Sequence, residues 1–390
     1  MGKTDPVYMK LQKHLNSQAV GFPATRSGAE INILKHIFTP KEAEIALGIN
    51  YKFEPLRMIY ERVKDRVDSP EALEKHLDDI QKKGGIEFKI KEGNKHYCTA
   101  PLVVGMYEFQ LERLTPEFIK DFKTYVSSIN FGVEFLSTEL PQMRTIPVAE
   151  SILPQHNVST FDEVTTLLEQ AEEPFVIIEC ICRKKKSLEG GACNVTDRDE
   201  TCLAIGGMAE MLQAGNVGRT ISREDALSII KQNQSEGLVL QPSNTQKAEF
   251  ICSCCGCCCG MLSIHKSLPK PLDFWASNFK AIVETAACIG CGSCEDVCQV
   301  GAVNVSEKEV CAVVNPDRCL GCGVCISNCP TEALSLLKKT SEVIPPQTRE
   351  ELYDIIMDKK KGRFGKALLT GKLIVDVVRT GQTKTYLKKI

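Results

Sequence analysis

Little in this chain of 390 residues points toward a membrane, a nucleic acid or a nucleotide. No run of about 18 apolar residues occurs, so no bilayer-spanning helix is expected. The opening stretch MGKTDPVYMKLQKHLNSQ has no apolar core of signal-peptide length. A net charge of −2 gives no overall pull toward polyanions. No glycine-rich phosphate loop or dinucleotide fingerprint is present, and AIGGMAE is too short and wrongly spaced for either. The six histidines are scattered and make no ligand spacing; His265 in MLSIHKSL reads as structural. Cysteine itself is nearly missing from the first 179 residues, where Cys98 stands alone, and from everything after Cys329.

Between those limits lie the other cysteines of a total of 20. With no export signal in the reading, the chain is expected in a reducing cytoplasm, where dense cysteine means metal rather than disulfides. The clearest pattern is CIGCGSCEDVCQ (Cys288, Cys291, Cys294, Cys298) followed by CLGCGVCISNCP (Cys319, Cys322, Cys325, Cys329). Each is C-x2-C-x2-C-x3-C. Thiolates are soft donors suited to iron–sulfur clusters, and the interleaved glycines let backbone N–H groups approach the sulfides.

These two runs resemble the bacterial two-cluster 4Fe-4S ferredoxins over roughly residues 280 to 337. The resemblance implies a (βαβ)2 fold and two 4Fe-4S clusters. One would be held by Cys288, Cys291, Cys294 and Cys329, the other by Cys319, Cys322, Cys325 and Cys298, since the fourth cysteine of each run crosses to the other cluster. The chain departs from the pattern at Gln299, where proline is usual. Cys311 lies between the runs, on an expected hairpin strand, and reads as a small buried hydrophobe.

A second constellation precedes this one. FVIIECICRKKK is expected to be a buried strand whose alternation puts Cys180 and Cys182 on one face. Cys193 follows in the loop EGGACNVT, and Cys202 is expected to open a helix, TCLAIGGMAEMLQ. SREDALSIIKQNQSEG is a helix capped by Ser222 and stopped at Gly237. The strand-like stretch after it ends in ICSCCGCCCG, with Cys252, Cys254, Cys255, Cys257, Cys258 and Cys259. Six thiols in eight positions exceed what one cubane takes. Together these ten thiols are expected to cradle one or two further iron–sulfur clusters, their division between sites open, with zinc as the alternative. The run is similar to the CCG domains of disulfide reductases, but the spacing differs and that activity is not carried over.

The flanks carry no ligand pattern. SGAEINILKHIF, TPKEAEIALGI and SPEALEKHLDDIQKKGG are expected helices, the last two capped by Thr39 and Ser69. The hairpin IEFKIKEGNKHYCTAPLV is expected to turn at Gly93–Asn94. Helices followed by a hairpin resemble a winged helix. Residues 22–100 hold 14 basic and 13 acidic side chains, too balanced for a DNA footprint, so a protein-interaction role is favoured over operator binding. MRTIPVAE is an expected strand and FDEVTTLLEQA an expected helix. From Lys359 to Ile390 there are ten Lys or Arg and only Asp376 against them. This tail is expected to be helical and is either a solvated face or a docking element, peripheral membrane association included.

The expected architecture is α+β and multi-domain: a winged-helix-like interaction module (1–135), a cysteine-rich α/β domain (136–279), the ferredoxin-like domain (280–340) and a basic helical tail (341–390). The assembly resembles multi-cluster 4Fe-4S electron-transfer proteins of anaerobic metabolism. That resemblance implies single-electron relay between redox partners, such as a flavoprotein or a catalytic oxidoreductase subunit, within a larger complex. An independent enzyme is the less favoured reading, and catalytic residues stay unassigned. The rival readings are an iron–sulfur transcriptional sensor and a reductase with an unusual central cluster.

Overall fold

The computed structural model describes residues 6–152, 158–306, 308 and 310–380. Near the N-terminus, helix Ala29–Ile37 is followed by Pro40–Ala46, where Thr39 and Glu42 form a capping box with Pro40 at the first position. Helix Pro70–Lys82 is capped by Ser69 and buries Leu73, Leu77 and Ile80. Strand β1 (Glu54–Pro55) and the hairpin of β2 (Ile86–Lys91) and β3 (Asn94–Thr99) form a sheet in the order β1-β3-β2. The hairpin turns at Glu92–Gly93, one residue earlier than expected. Lys91 pairs with Asn94, and both turn residues have positive φ, as a two-residue hairpin requires.

The central region is a five-stranded antiparallel sheet: β4 (Phe175–Glu179), β5 (Glu200–Ile205), β6 (Arg219–Ile221), β7 (Val239–Pro242) and β8 (Phe250–Cys254), ordered β6-β4-β5-β8-β7. Alternation sorts its faces. Phe175, Ile177, Leu203, Ile205 and Ile251 pack with helices Val164–Glu169 and Arg223–Ser235. Val176, Ile178 and Ala204 face the other way and join the N-terminal helices in one core. Gln81 reaches across to donate to the Met211 carbonyl at 3.0 Å. The helix Pro70–Lys82 therefore leans on the cysteine-rich region.

Three local expectations change here. Cys202 lies on β5 rather than opening a helix, because β5 is ladder-bonded on both sides and the helix begins at Gly207, after the positive-φ Gly206. β4 ends at Glu179, so Cys182 lies on the first turn of helix Ile181–Leu188 rather than on the strand. MRTIPVAE makes isolated bridges only, Met143 to Ser243 and Arg144 to Ala276. Its N–H groups bond different neighbours in turn, and Pro147 has none to give.

The C-terminal third pairs β9 (Phe279–Val283) with β12 (Leu334–Lys338), and β10 (Val303–Ser306) with β11 (Cys311–Val314), all antiparallel. Single-turn helices Ser293–Asp296 and Val324–Ser327 lie between them. Helices Arg349–Asp358 and Arg363–Arg379 follow. Much of the tail's positive charge is engaged within the chain: Lys359 with Glu139, Lys360 and Lys366 with Glu134, Lys372 with Asp273. The expected tail cations Lys384, Lys388 and Lys389 lie outside the described residues. No helix among the described residues is long and apolar enough to cross a membrane.

Candidate metal centres

The ferredoxin-like thiols are met by backbone N–H groups from strands and turns. Ala281 N–H donates to Cys319 Sγ at 3.3 Å, Ala302 to Cys298 at 3.2 Å and Ala312 to Cys288 at 3.4 Å. Gly321, at φ +65°, leaves no room for a Cβ against the Phe279 carbonyl. Cys288, Cys291, Cys294 and Cys329 line one concavity of about 320 Å³, part of it open to solvent. Cys319, Cys322, Cys325 and Cys298 lie within one another's electrostatic reach on the other side. Burial pushes Cys322 up to about 12, so its thiolate needs a cationic partner. Buried Cys311 touches Cys288 without joining either set.

The ten central thiols separate into two groups. Cys180 caps helix Ile181–Leu188, Cys182 lies in that helix's first turn, and Cys259 caps helix Gly260–Ser267. Cys202 comes from β5; Cys252 and Cys254 lie two apart on β8 and so share a face. The register that pairs Leu203 with Ile251 brings Cys202 beside Cys252. Thiol contacts then run Cys180–Cys182–Cys259–Cys254–Cys252–Cys202 and back to Cys180. The six form a closed ring. No three of its sulfurs lie mutually within 4.8 Å, so the ring is more spread out than a single-ion site. The two helix N-termini aim N–H dipoles at it, which favours thiolate.

Contact with the Cys182 and Cys202 thiols, reinforced by Arg183, holds Cys180 well below the usual thiol range. Cys202, Cys252 and Cys254 are pushed well above it, first by the neighbouring thiol each meets and then by burial. Six thiols in mutual contact, three of them buried, cannot ionise together unless a cationic core sits among them.

The remaining four are compact. Cys193 Sγ lies 3.6 Å from Cys255 and 3.7 Å from Cys257, with Cys257 at 3.6 Å from Cys255 and 3.5 Å from Cys258. All four sulfurs fall within 4.8 Å of one another, the only such set of three or more His, Cys, Asp or Glu ligand atoms among the described residues. Asn194 N–H donates to Cys257 Sγ at 3.4 Å. Burial raises Cys193, but the N–H groups of Thr196 and Val195 and the thiols of Cys255 and Cys257 outweigh it and bring the group down to about 6.

Two residues of these sites escaped the sequence reading, and a third, Gln299, stood there only as a departure from the ferredoxin pattern. Arg183 is buried between the groups, within reach of Cys180 and Cys202 on one side and Cys255 and Cys193 on the other. It donates to the Ser253 carbonyl at 3.0 Å and to Thr201 Oγ1, while its Nε has no protein partner. Glu108, from the N-terminal region, is half-buried close to Cys180 and Cys252, takes the Gly105 N–H at 2.7 Å, and desolvation raises it to about 7. Gln299 accepts the Gly256 N–H at 2.8 Å and packs its carbonyl against that glycine. Arg183 directly follows Cys182, and that adjacency was its one available signal; the thiols near Glu108 and the Gly256 that Gln299 meets are far away in sequence.

Cys254, Cys259, Cys294, Cys319 and Cys325 share one apolar core, against which Cys252, Cys288, Cys298, Cys322 and Cys329 pack. The ring and the ferredoxin-like sites are therefore neighbours. Residues 281–336 match a family described as a 4Fe-4S dicluster domain. No curated protein and no solved structure matches the chain. The matched segment and the gathered thiols support iron–sulfur clusters and an electron-transfer role.

Proposed function

We propose that this protein relays single electrons between redox partners, through two ferredoxin-type 4Fe-4S clusters and a polynuclear iron–sulfur cluster held in the six-thiol ring. The observation that carries the reading is the shared core: ring cysteines and ferredoxin-like cysteines pack against the same apolar residues. Electrons need closely spaced sites in series, and this packing supplies them. The clusters provide the one-electron chemistry. The chain supplies thiolates, N–H donors to sulfur, the Arg183 cation and exclusion of water. The two ligand sets are read as Cys288, Cys291, Cys294 with Cys329, and Cys319, Cys322, Cys325 with Cys298.

In this reading the N-terminal module is winged-helix-like and binds protein rather than DNA, since its third helix is acidic and already leans on Met211. The chain serves a cytoplasmic oxidoreductase complex whose substrate chemistry belongs to a partner. Electrostatic docking by the tail would fall to exposed Arg363 and Arg379 and to cations beyond residue 380, since Lys359, Lys360, Lys366 and Lys372 face the chain's own acids.

The test is a redox titration of anaerobically purified full-length protein followed by electron paramagnetic resonance. A third cluster signal beyond the ferredoxin pair, reduced and reoxidised through a viologen or flavoprotein, is the expected result. Two signals only would remove the ring from the relay. Turnover of a disulfide without added partner would make the chain a reductase, and sequence-selective DNA retardation would make it a sensor.

A further inference from the structure

The four compact thiols differ from all the other gathered cysteines in scale. A single tetrahedral ion with metal–sulfur bonds of about 2.3 Å sets its sulfurs about 3.8 Å apart. The four measured separations here are 3.5 to 3.7 Å. A cubane places its thiolates on four separate irons, pointing outward, and spreads them much further. The same chain supplies the control. None of the eight ferredoxin-like cysteines belongs to any set of three within 4.8 Å, and neither do the six ring thiols.

We propose that Cys193, Cys255, Cys257 and Cys258 form a closed tetrathiolate site for one thiophilic divalent ion, separate from every cluster. The donor set is the tetrahedral S4 chemistry shared by zinc and a lone iron. All four positions are filled by protein sulfur, which makes the site structural, with no open position for substrate.

Its place in the chain gives it a task. The turn 255–258 lies between two ring thiols, Cys254 and Cys259, so closing the turn on an ion fixes where both project. The fourth ligand, Cys193, comes from the loop after helix Ile181–Leu188, the helix that carries Cys182. The turn also abuts Gln299, the residue after Cys298. One ion thus ties three cluster-bearing segments together. Buried Arg183 lies between the ring and this site and offsets the negative charge of both.

This proposal is independent of the electron-relay reading. The experiment measures zinc, iron and cobalt per chain in the full-length protein, purified anaerobically from zinc-replete and from cobalt-supplemented cells. The expected result is about one zinc per chain, and in cobalt-grown protein the intense visible bands of a tetrahedral cobalt tetrathiolate. A lone high-spin ferric signal that appears on one-electron oxidation in place of zinc identifies ferrous iron as the occupant and equally supports a one-ion site. Cys193→Ser with Cys257→Ser should remove that one equivalent and leave the ferredoxin-type signals intact. Loss of about four irons in this variant, or wild-type protein with no zinc, no cobalt bands and no lone-iron signal, would overturn it. The wild-type arms decide the matter even where the double variant folds poorly.

Discussion

The ferredoxin-like segment and the cysteine-rich centre hold comparable numbers of thiols, yet they are built in opposite ways. In the first, three of four ligands for each site come from a single seven-residue turn, and local spacing does nearly all the positioning. In the centre, the ring takes its six thiols from two strand–helix junctions and two neighbouring strands, so the ligands are placed by sheet register. Local spacing can be read along a chain, whereas register is a property of the folded sheet. The centre also divides its cysteines by size of site, a spread ring of six beside a compact tetrad, although four of the ring members alternate along the chain with tetrad members or adjoin them.

The sharpest way to break this comparison is to remove one ligand from each kind of site. Cys202→Ser takes a thiol from the ring at the point where β5 and β8 meet. It should abolish the central cluster, with its iron and its resonance signal, while the two ferredoxin-type signals persist. Cys322→Ser should convert one ferredoxin cluster to a three-iron form or remove it, a loss of about one to four irons per chain, and leave the ring signal in place. Metal analysis and low-temperature resonance on both variants check this. Loss of every signal in either variant would mean that the two regions are one cooperative centre.

The ferredoxin-like sites were legible because their ligands repeat at fixed short intervals. The helices that begin at Pro40, Pro70 and Arg223 were legible from caps at Thr39, Ser69 and Ser222. The centre was legible only as an inventory of thiols. Cys202 looked helical because of the alanine and methionine that follow it, yet it pairs with Ile178 in a strand that is laddered on both sides. Cys180 and Cys182 looked like alternating strand positions, but the strand stops at Glu179, just before them, and its neighbour's loop takes over: Cys180 N–H bonds the Asp199 carbonyl. MRTIPVAE has a strand's composition, and Pro147 denies it a ladder. Which cysteines belong to the ring and which to the tetrad follows from contacts between separate segments, such as Cys202 with Cys252 and Cys193 with Cys255, and nothing in the local sequence encodes that.

A subtler difference between the regions lies in their compensating charge. Backbone N–H groups do this work in the ferredoxin-like segment, while the ring has the buried guanidinium of Arg183. Removing a cation beside a cluster disfavours the more negative, reduced state. Arg183→Met should therefore lower the central cluster's potential by on the order of 50–100 mV, where 59 mV is a tenfold change for one electron. Arg183→Lys keeps the charge and should shift it less. The ferredoxin-type potentials should stay put in both. A potentiometric titration monitored by resonance reads all three centres at once, and a uniform shift of all of them would mean that Arg183 acts on overall packing rather than on the ring.

The smallest effect is expected where the two regions meet. Gln299 stands where ferredoxin runs ordinarily carry proline, and its side-chain oxygen accepts the N–H of Gly256 in the middle of the compact turn. Proline restores the usual end of the run but offers no side-chain acceptor, so the Gly256 N–H loses its partner. One such hydrogen bond is worth about 1 kcal/mol, roughly a fivefold change in an equilibrium constant. Gln299→Pro should thus leave iron content and all cluster signals unchanged while releasing the compact site's ion to a chelator a few-fold faster. Unchanged release would show that the turn is held by its four thiolates alone. Loss of a ferredoxin-type signal would show the reverse dependence, with Gln299 serving the Cys298 turn rather than its neighbour.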